Sequence, residues 1–576
     1  MKKIGLYIIA AIATIGVTET AAAQDYDRNV TVETEFQPII QDAGKINKKP
    51  VIQSTTIPPV SVTYSEFSNE VNPSFTPSAL HSQPITFAKP DTLNGLLRGG
   101  VGHINSDFKF AYTVTDKKKN SLHIEAEHNG SWGTKTLANT NLNIDFSHGF
   151  YNVGKFYMSM FGKNQFYTRY GYYFDPATND LTIRRFAETD DASKQTVWWG
   201  GAYFGFQSDP REDLSYDIRL AYDLTNMPSL ATEHHAKAKF HIQWTDNEHR
   251  VGGNVHLQGN FYQMDPVYDS IDHSNRYNIR VEPFYEYAGD RFFIHAGVNI
   301  DLNYGKGTQF SNVDKLAFAP SPNLRFEAQL APKWVILYGQ ATGHFACGNS
   351  DEFIENNRYR DFMCSVTSFH TSRYTPVEGE LGFRFRLEEN LLFEVHGGYG
   401  MQWNKTATVF TPNSLYLDYV YYNYHSGKVG ATISYHYKDI VTIHGWGDYL
   451  PALNQQVETV SSLNKLDLSQ VTQGRAYDTP SWKAGLDIDA RVDQHWSLYS
   501  HNRLQGGTWA LVYSEETVED KKLAPRIEIN LGCQYEFDNR LALYLDLNNL
   551  INRKNEIYYG YQTTGINFLV GVNWRF

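Results

Sequence analysis

Glu233-His234-His235, with His241 nearby, is a group of side chains that could ligate a metal ion. Adjacent side chains on an extended chain point to opposite faces, which spoils their convergence. The stretch therefore reads as a solvated loop tip, and no metal centre is expected. A second set comprises Arg280, Glu282, Glu286, His295, Asp301, Glu394, His396, Asp487, Asp489, Glu528, Asp546 and Arg575, each at an alternate position within an apolar run. Such charges could line a polar path, or form an ordinary hydrated and ion-paired interior. Covalent chemistry has no foothold: there is no HExxH, no GxSxG, no phosphate-binding loop and no Gly-rich dinucleotide motif. Neither a catalytic residue nor a cofactor is expected. Cys347 and Cys364 could close a disulfide loop of about 17 residues, worth roughly 3 kcal/mol by loop entropy, or stand as two free thiols. Cys533 sits among alternating apolar residues and reads as a small apolar side chain.

The elements that carry these residues are strands. In RIEINLGCQYEF, Ile527, Ile529, Leu531, Cys533, Tyr535 and Phe537 share one face, while Arg526, Glu528, Asn530, Gln534 and Glu536 share the other. After a turn at Asp538–Arg540, Leu541, Leu543, Leu545 and Leu547 oppose Tyr544, Asp546 and Asn548. The same alternation runs through Ile294–Asn303, Phe393–Gln402 and Trp482–Asp489. The chain has 576 residues, 15% of them aromatic, with 39 Tyr, yet no later apolar run is long enough for a membrane helix. Period-two alternation with abundant aromatics is the signature of a membrane barrel, whose strands show lipid only every second residue. A Lys or Arg facing mid-bilayer costs about 2–4 kcal/mol, so the apolar set must point outward and the charged set inward. The net charge of -12 is spread along the chain and speaks against a nucleic-acid partner.

Short polar turns recur near Asp116–Lys119, Gly149–Asn152, Asp209–Asp213, Asp246–Glu248, Gly289–Arg291, Pro332–Lys333, Glu388–Asn390, Lys438–Asp439, Asp493–His495 and Asp538–Arg540. They alternate with longer connections, the longest near Tyr170–Gln195, Ala346–Arg373 and Tyr449–Pro480. With both chain ends on the short-turn side, about ten such turns predict an all-β fold, a large antiparallel transmembrane β-barrel of the outer membrane with about 22 strands, 20 to 22 bracketing the count. Pro283 falls inside one strand, where its missing N–H predicts a bulge. A lumen of this size breaches the membrane unless something fills it: the N-terminal segment, inward-folded loops, or another protein.

The two ends complete the plan. Residues 1–23 read as a secretory signal: Lys2 and Lys3, an apolar run from Ile4 to Val17, and small residues up to cleavage between Ala23 and Gln24. Residues 24–94 carry Pro38, Pro50, Pro58, Pro59, Pro73, Pro77, Pro84 and Pro90, a density that favours an extended periplasmic or lumen-threading segment over a compact domain. Residues 95–576 form the barrel. In its last strand Phe568, Val570, Val572, Trp574 and Phe576 alternate with Asn567, Leu569, Gly571, Asn573 and Arg575, so this face is expected to meet lipid and close the barrel against the first strand.

The stretch LALYLDLNNLINRKNEIYYGYQTTGINFLVGVNWRF resembles the end of the barrel in TonB-dependent outer-membrane receptors, through Asn549-Leu550-Ile551-Asn552-Arg553-Lys554, then Tyr558–Gly560, then Gly565–Phe576. DTPSWKAGLDIDARVDQHWSLY is similar to an earlier hairpin of those barrels. The resemblance implies a receptor-like barrel concerned with solute transport across the outer membrane of a Gram-negative bacterium. It implies as partners outer-membrane lipid and lipopolysaccharide, and an insertion machinery that reads the terminal strand. The chain departs from the family in having no full plug domain before its first strand. NVTVETEF (Asn29–Phe36) loosely resembles the box that engages TonB, but without a plug to pull, the purpose of that contact is undefined. The missing plug keeps open a second expectation, a non-conducting subunit of an outer-membrane assembly, secretion or uptake complex whose lumen a partner protein seals. Replacing Phe576 with Asp is expected to impair barrel assembly; a normal yield of folded, heat-modifiable protein in the outer membrane would contradict this.

Overall fold

The computed structural model describes residues 94–576 apart from 117–119, 133–135, 170–193, 210, 229, 265–274, 306–314, 332–333, 360–372, 389, 411–416, 439, 458–474 and 515–516. The signal region with Ala23 and Gln24, the Pro-rich segment and the stretch Asn29–Phe36 lie outside the described residues, as does Cys364. What is described is a closed antiparallel barrel of 22 strands. It runs from Gly95–Gly102 through neighbouring hairpins to Asn567–Arg575. The last strand pairs on one side with Leu541–Asn548 and on the other with Gly95–Gly102, Val572 facing Gly99 and Trp574 facing Leu97.

Alternation decides which face meets lipid. Along Leu214–Met227, Leu214, Tyr216, Ile218, Leu220 and Tyr222 are exposed on the outside, while Asp223 and Thr225 are buried inside. Phe568, Val570, Val572, Trp574 and Phe576 are likewise exposed, and Leu569 and Asn573 are buried. Outward aromatics gather at both rims. Trp244, Trp334, Tyr437, Trp496 and Trp574 ring the short-turn end, and Trp132, Trp198, Tyr222, Tyr304 and Tyr449 ring the other. These are the positions of interfacial girdles.

Turn chemistry follows from side chains. Asp493 accepts the N–H groups of His495 and Trp496, both at 2.7 Å, and Asp538 accepts those of Arg540 and Leu541, both at 2.8 Å. These backbone hydrogen bonds hold both carboxyls below the usual carboxylate range. Their hold on the turns is present above the ordinary Asp value and is lost as pH falls through the lowered one. The Asn549–Lys554 turn is built by its asparagines. Asn549 and Asn552 adopt positive φ of 53° and 55°, and Asn552 Oδ1 accepts the Ile566 N–H at 2.9 Å.

Two expectations are corrected. Pro283 produces no bulge: its strand, Arg276–Ala288, keeps one register on both sides, with Glu282 opposite Asn254, Pro283 opposite Gly253 and Phe284 opposite Gly297. Glu282 and Pro283 drop out of the pairing with Phe292–Gly305, but the pairs before and after them keep one register, and pairing with His249–Met264 is continuous. The strand Val441–Tyr449 also does not hand over to a loop at Tyr449. After Leu450 and Pro451 it resumes as Ala452–Val457, which pairs with the same neighbour, Asp418–Tyr437.

The seam is tightly built. Arg98 of the first strand bonds Asp107 at 2.9 Å, lies 3.5 Å from Asp546 across the last strand, and stacks on Tyr544 at 4.1 Å. A Cβ on Gly571 would meet the Gly99 carbonyl oxygen and the Tyr544 ring. Gly571→Val is therefore expected to block closure and lower the heat-modifiable fraction, whereas Val570→Leu, on the outward face, should assemble normally; equal yields would refute the seam constraint.

Candidate functional site

The inward charges are engaged with one another along the wall. Arg280 bonds Asp301 at 2.9 Å. His295 lies between Glu282 and Glu286, at 3.7 and 3.5 Å, and Arg250 pairs with Glu286. Glu394 meets Arg384 at 3.1 Å and the Tyr338 hydroxyl at 2.7 Å, and His396 bonds Asp448 at 2.9 Å. Asp487 is gripped by Arg503 and His501, with Asp489 3.8 Å from the same histidine. Glu528 pairs with Arg526, Asp546 accepts from Tyr499, and Arg575 lies inward at the start of the seam. Apart from Arg526 with Glu528, which share a strand, these contacts join strands that are neighbours or next-but-one in the wall, so the charges cross-link it from within.

At the end bearing the long connections, one of those connections turns into the lumen. After the strand Val335–Ala346 the chain enters a short helix, Ser350–Asn356, and reaches Tyr359. Inward side chains receive it polar group by polar group. Asp301 accepts the Phe345 N–H at 3.2 Å, and Arg280 donates to the Phe345 carbonyl at 3.0 Å. Asn260 donates to the Gly348 carbonyl at 3.4 Å and lies 3.7 Å from the sulfur of the buried Cys347. Glu233 Oε2 accepts the Ser350 N–H at 2.6 Å. Asp351 accepts from the Trp199 indole at 2.6 Å and from Thr225. Lys163 reaches Glu355 at 3.3 Å, and Asn357 donates to Thr408 at 3.3 Å.

Lys163 and Thr408 belong to the fifth and fifteenth strands of the ring, so one short segment touches walls that lie nearly opposite each other. Apolar packing reinforces it. Ile354 joins Tyr167, Val197, Trp199, Met227, Ala231 and Tyr419 in a buried cluster. A Val, Ile or Met side chain contributes about 1.5–3 kcal/mol on full burial. The Tyr359 ring stands against Tyr167 at 6.3 Å and Tyr561 at 4.5 Å. Beside it, the hairpin Trp509–Ser514 and Thr517–Lys522 docks parallel to Leu391–Phe410, through Val409 with Leu511 and Phe410 with Val512. Its core contains Ala407, Val420, Tyr422, Tyr477, Leu511 and Val518, all buried. The lumen-filling element among the described residues is thus an inward-folded connection, one of the three possibilities raised above.

Sequence reasoning misplaced the acidic–histidine stretch. Glu233 and His235 lie in the strand Ala231–Asp246, not at a loop tip, and both are fully buried. His234 does point the other way, its Nδ1 2.7 Å from the Tyr222 hydroxyl. The convergent pair is Glu233 with His235, two residues apart and therefore on one face. Asp223 comes from the preceding strand and Asp351 from a distant connection, so only spacing within the strand was readable.

Asp301→Ala would strand Arg280 and leave the Phe345 N–H without its acceptor. Breaking a buried pair costs about 3–5 kcal/mol. The expected result is faster proteolytic cleavage within residues 346–359 while the barrel stays heat-modifiable; unchanged cleavage kinetics would show that this anchor does not hold the segment.

No protein-family model and no curated protein matches the sequence. Among solved structures, the ferric-catecholate import receptor Fiu of E. coli K12 has a TM-score of 0.60 at 11% identity, covering 85% of this chain and 82% of that one. The siderophore receptor PiuA of Acinetobacter baumannii has a TM-score of 0.60 at 10% identity, covering 85% and 82%. The FrpB iron transporter of Neisseria meningitidis, F5-1 variant, has a TM-score of 0.61 at 9% identity, covering 84% and 83%. At such low identity the likeness is one of fold. The chain has the 22-strand barrel fold of TonB-dependent outer-membrane receptors.

Proposed function

We propose that this chain is an exported, outer-membrane barrel of receptor type that passes a solute, with residues 346–359 as its gate. The observation that carries the reading is that a segment of the chain itself spans the mouth, held by polar contacts on inward side chains of at least six strands. A lumen of 22 strands is wide enough to conduct when uncovered. The neighbours in fold are named as an import receptor, a siderophore receptor and an iron transporter. In this reading lipid and lipopolysaccharide contact the outward face. Phe568, Val570, Val572, Trp574 and Phe576 present the assembly signal to the insertion machinery, and Asn29–Phe36 is the candidate contact for TonB. A disulfide between Cys347 and Cys364 would brace the root of the gate. The chemistry required is passage, and no catalytic step is assigned.

The extent of the apolar packing at the mouth favours a second reading, in which the closure is permanent and the barrel is a structural subunit of an outer-membrane complex. Single-channel recording separates the two. The full-length barrel is expected to stay closed in a planar bilayer, and a variant with residues 348–358 replaced by a short Gly-Ser linker is expected to pass large, steady currents. Silence from both would favour the structural subunit. Steady current from the unaltered protein would remove the gate.

A further inference from the structure

We propose that Asp223, His235 and Asp351 bind one divalent transition-metal ion, which staples the helix Ser350–Asn356 to the barrel wall. Their ligand atoms, one from each residue, lie within 4.8 Å of one another, and the three residues come from two wall strands and the inward segment. His235 Nδ1 faces both carboxylates, 2.5 Å from Asp223 and 3.7 Å from Asp351. Its Nε2 is 3.1 Å from Glu233 Oε1, and both side chains are fully buried.

This second contact selects the chemistry. A buried carboxylate on one imidazole nitrogen fixes the ring and its tautomer, turning the other nitrogen's lone pair toward the ion; that is the arrangement in which metal-binding histidines are held. The carboxylates are oriented in the same way. The Trp199 indole and the Thr225 hydroxyl engage Asp351 Oδ1, leaving Oδ2 toward the imidazole. Lys237 contacts Asp223 at 2.9 Å.

Charge makes the same selection. Asp223, Glu233 and Asp351 carry three negative charges, and Lys237 offsets one of them. One divalent ion beside a neutral imidazole would balance the remaining two. One imidazole and two carboxylates suit zinc, iron(II) or manganese(II), with ligand distances near about 2.0–2.2 Å for zinc. Closing the donors onto such an ion needs only small side-chain shifts from the spacings observed.

The ion site rests on this geometry alone; its effect on opening rests on the reading of residues 346–359 as the gate. The full-length barrel, stripped with chelator, would be titrated calorimetrically with Zn²⁺ alone and with Mn²⁺ alone, and bound metal counted by mass spectrometry. One equivalent per barrel is expected, weakened at least about 100-fold in His235→Gln and Asp351→Asn, and about 10–100-fold in Glu233→Gln, which removes only the orienting carboxylate. Asp351 lies in the connection rather than the wall, so Asp351→Asn tests the site even if His235→Gln assembles poorly, heat-modifiability reporting on each. Saturating Zn²⁺ should also slow proteolysis within residues 346–359 in the unaltered protein and not in His235→Gln. No binding by the unaltered barrel, or full binding retained by both variants, would overturn the site. Stoichiometric binding without protection from proteolysis would overturn the staple, and neither outcome depends on whether the channel opens.

Discussion

Every backbone N–H and C=O in the hydrocarbon layer must find a partner within the protein, because no water is there to supply one. That requirement closes the sheet. The strand Asn567–Arg575 completes the ring by pairing with Gly95–Gly102, strands more than four hundred residues apart in sequence. Once the ring is closed, alternation follows: one face of each strand meets lipid and must be apolar, and the other is free to carry charge. The seam leaves little tolerance, which is why Gly571 has no side chain and why Arg98 reaches over the last strand toward Asp546.

Closure creates the second constraint. A ring of 22 strands encloses more space than its own inward side chains fill. Among the described residues many inward charges pair with one another along the wall, in groups such as Arg250–Glu286–His295 and Asp487–His501–Arg503. Near the mouth the pattern changes. There Glu233, Thr225 and Asn260 turn part of their hydrogen-bonding capacity toward a segment that is not a strand. The wall is thus both a lining and a dock, and the docked segment is the feature of the described residues on which the functional reading turns.

The mouth also differs from the belt in its packing. Tyr422, Tyr477, Val409 and Val518 are wholly enclosed, as in a soluble core, whereas belt residues such as Val572 and Ile279 are each 41% exposed. Strands that extend past the belt need a conventional apolar core, and the hairpin Trp509–Ser514 and Thr517–Lys522 supplies it.

By itself the sequence determined the wall. Period-two alternation, the ten short turns and the apolar face through Phe576 were enough to read a barrel and its strand count, because each depends on residues close together in the chain and on a uniform requirement set by lipid. The spacing of Glu233 and His235 was also present, yet it was overshadowed by the adjacent histidine pair and read as a loop. Pro283 misled for a related reason: a local preference for a bulge gave way to register imposed by pairing on both flanks. Only the tertiary structure decided where the connection after Ala346 goes and which wall residues receive it. Its anchors lie on strands distant in sequence, and their convergence is set by the closed circumference of the ring, a quantity no local pattern contains.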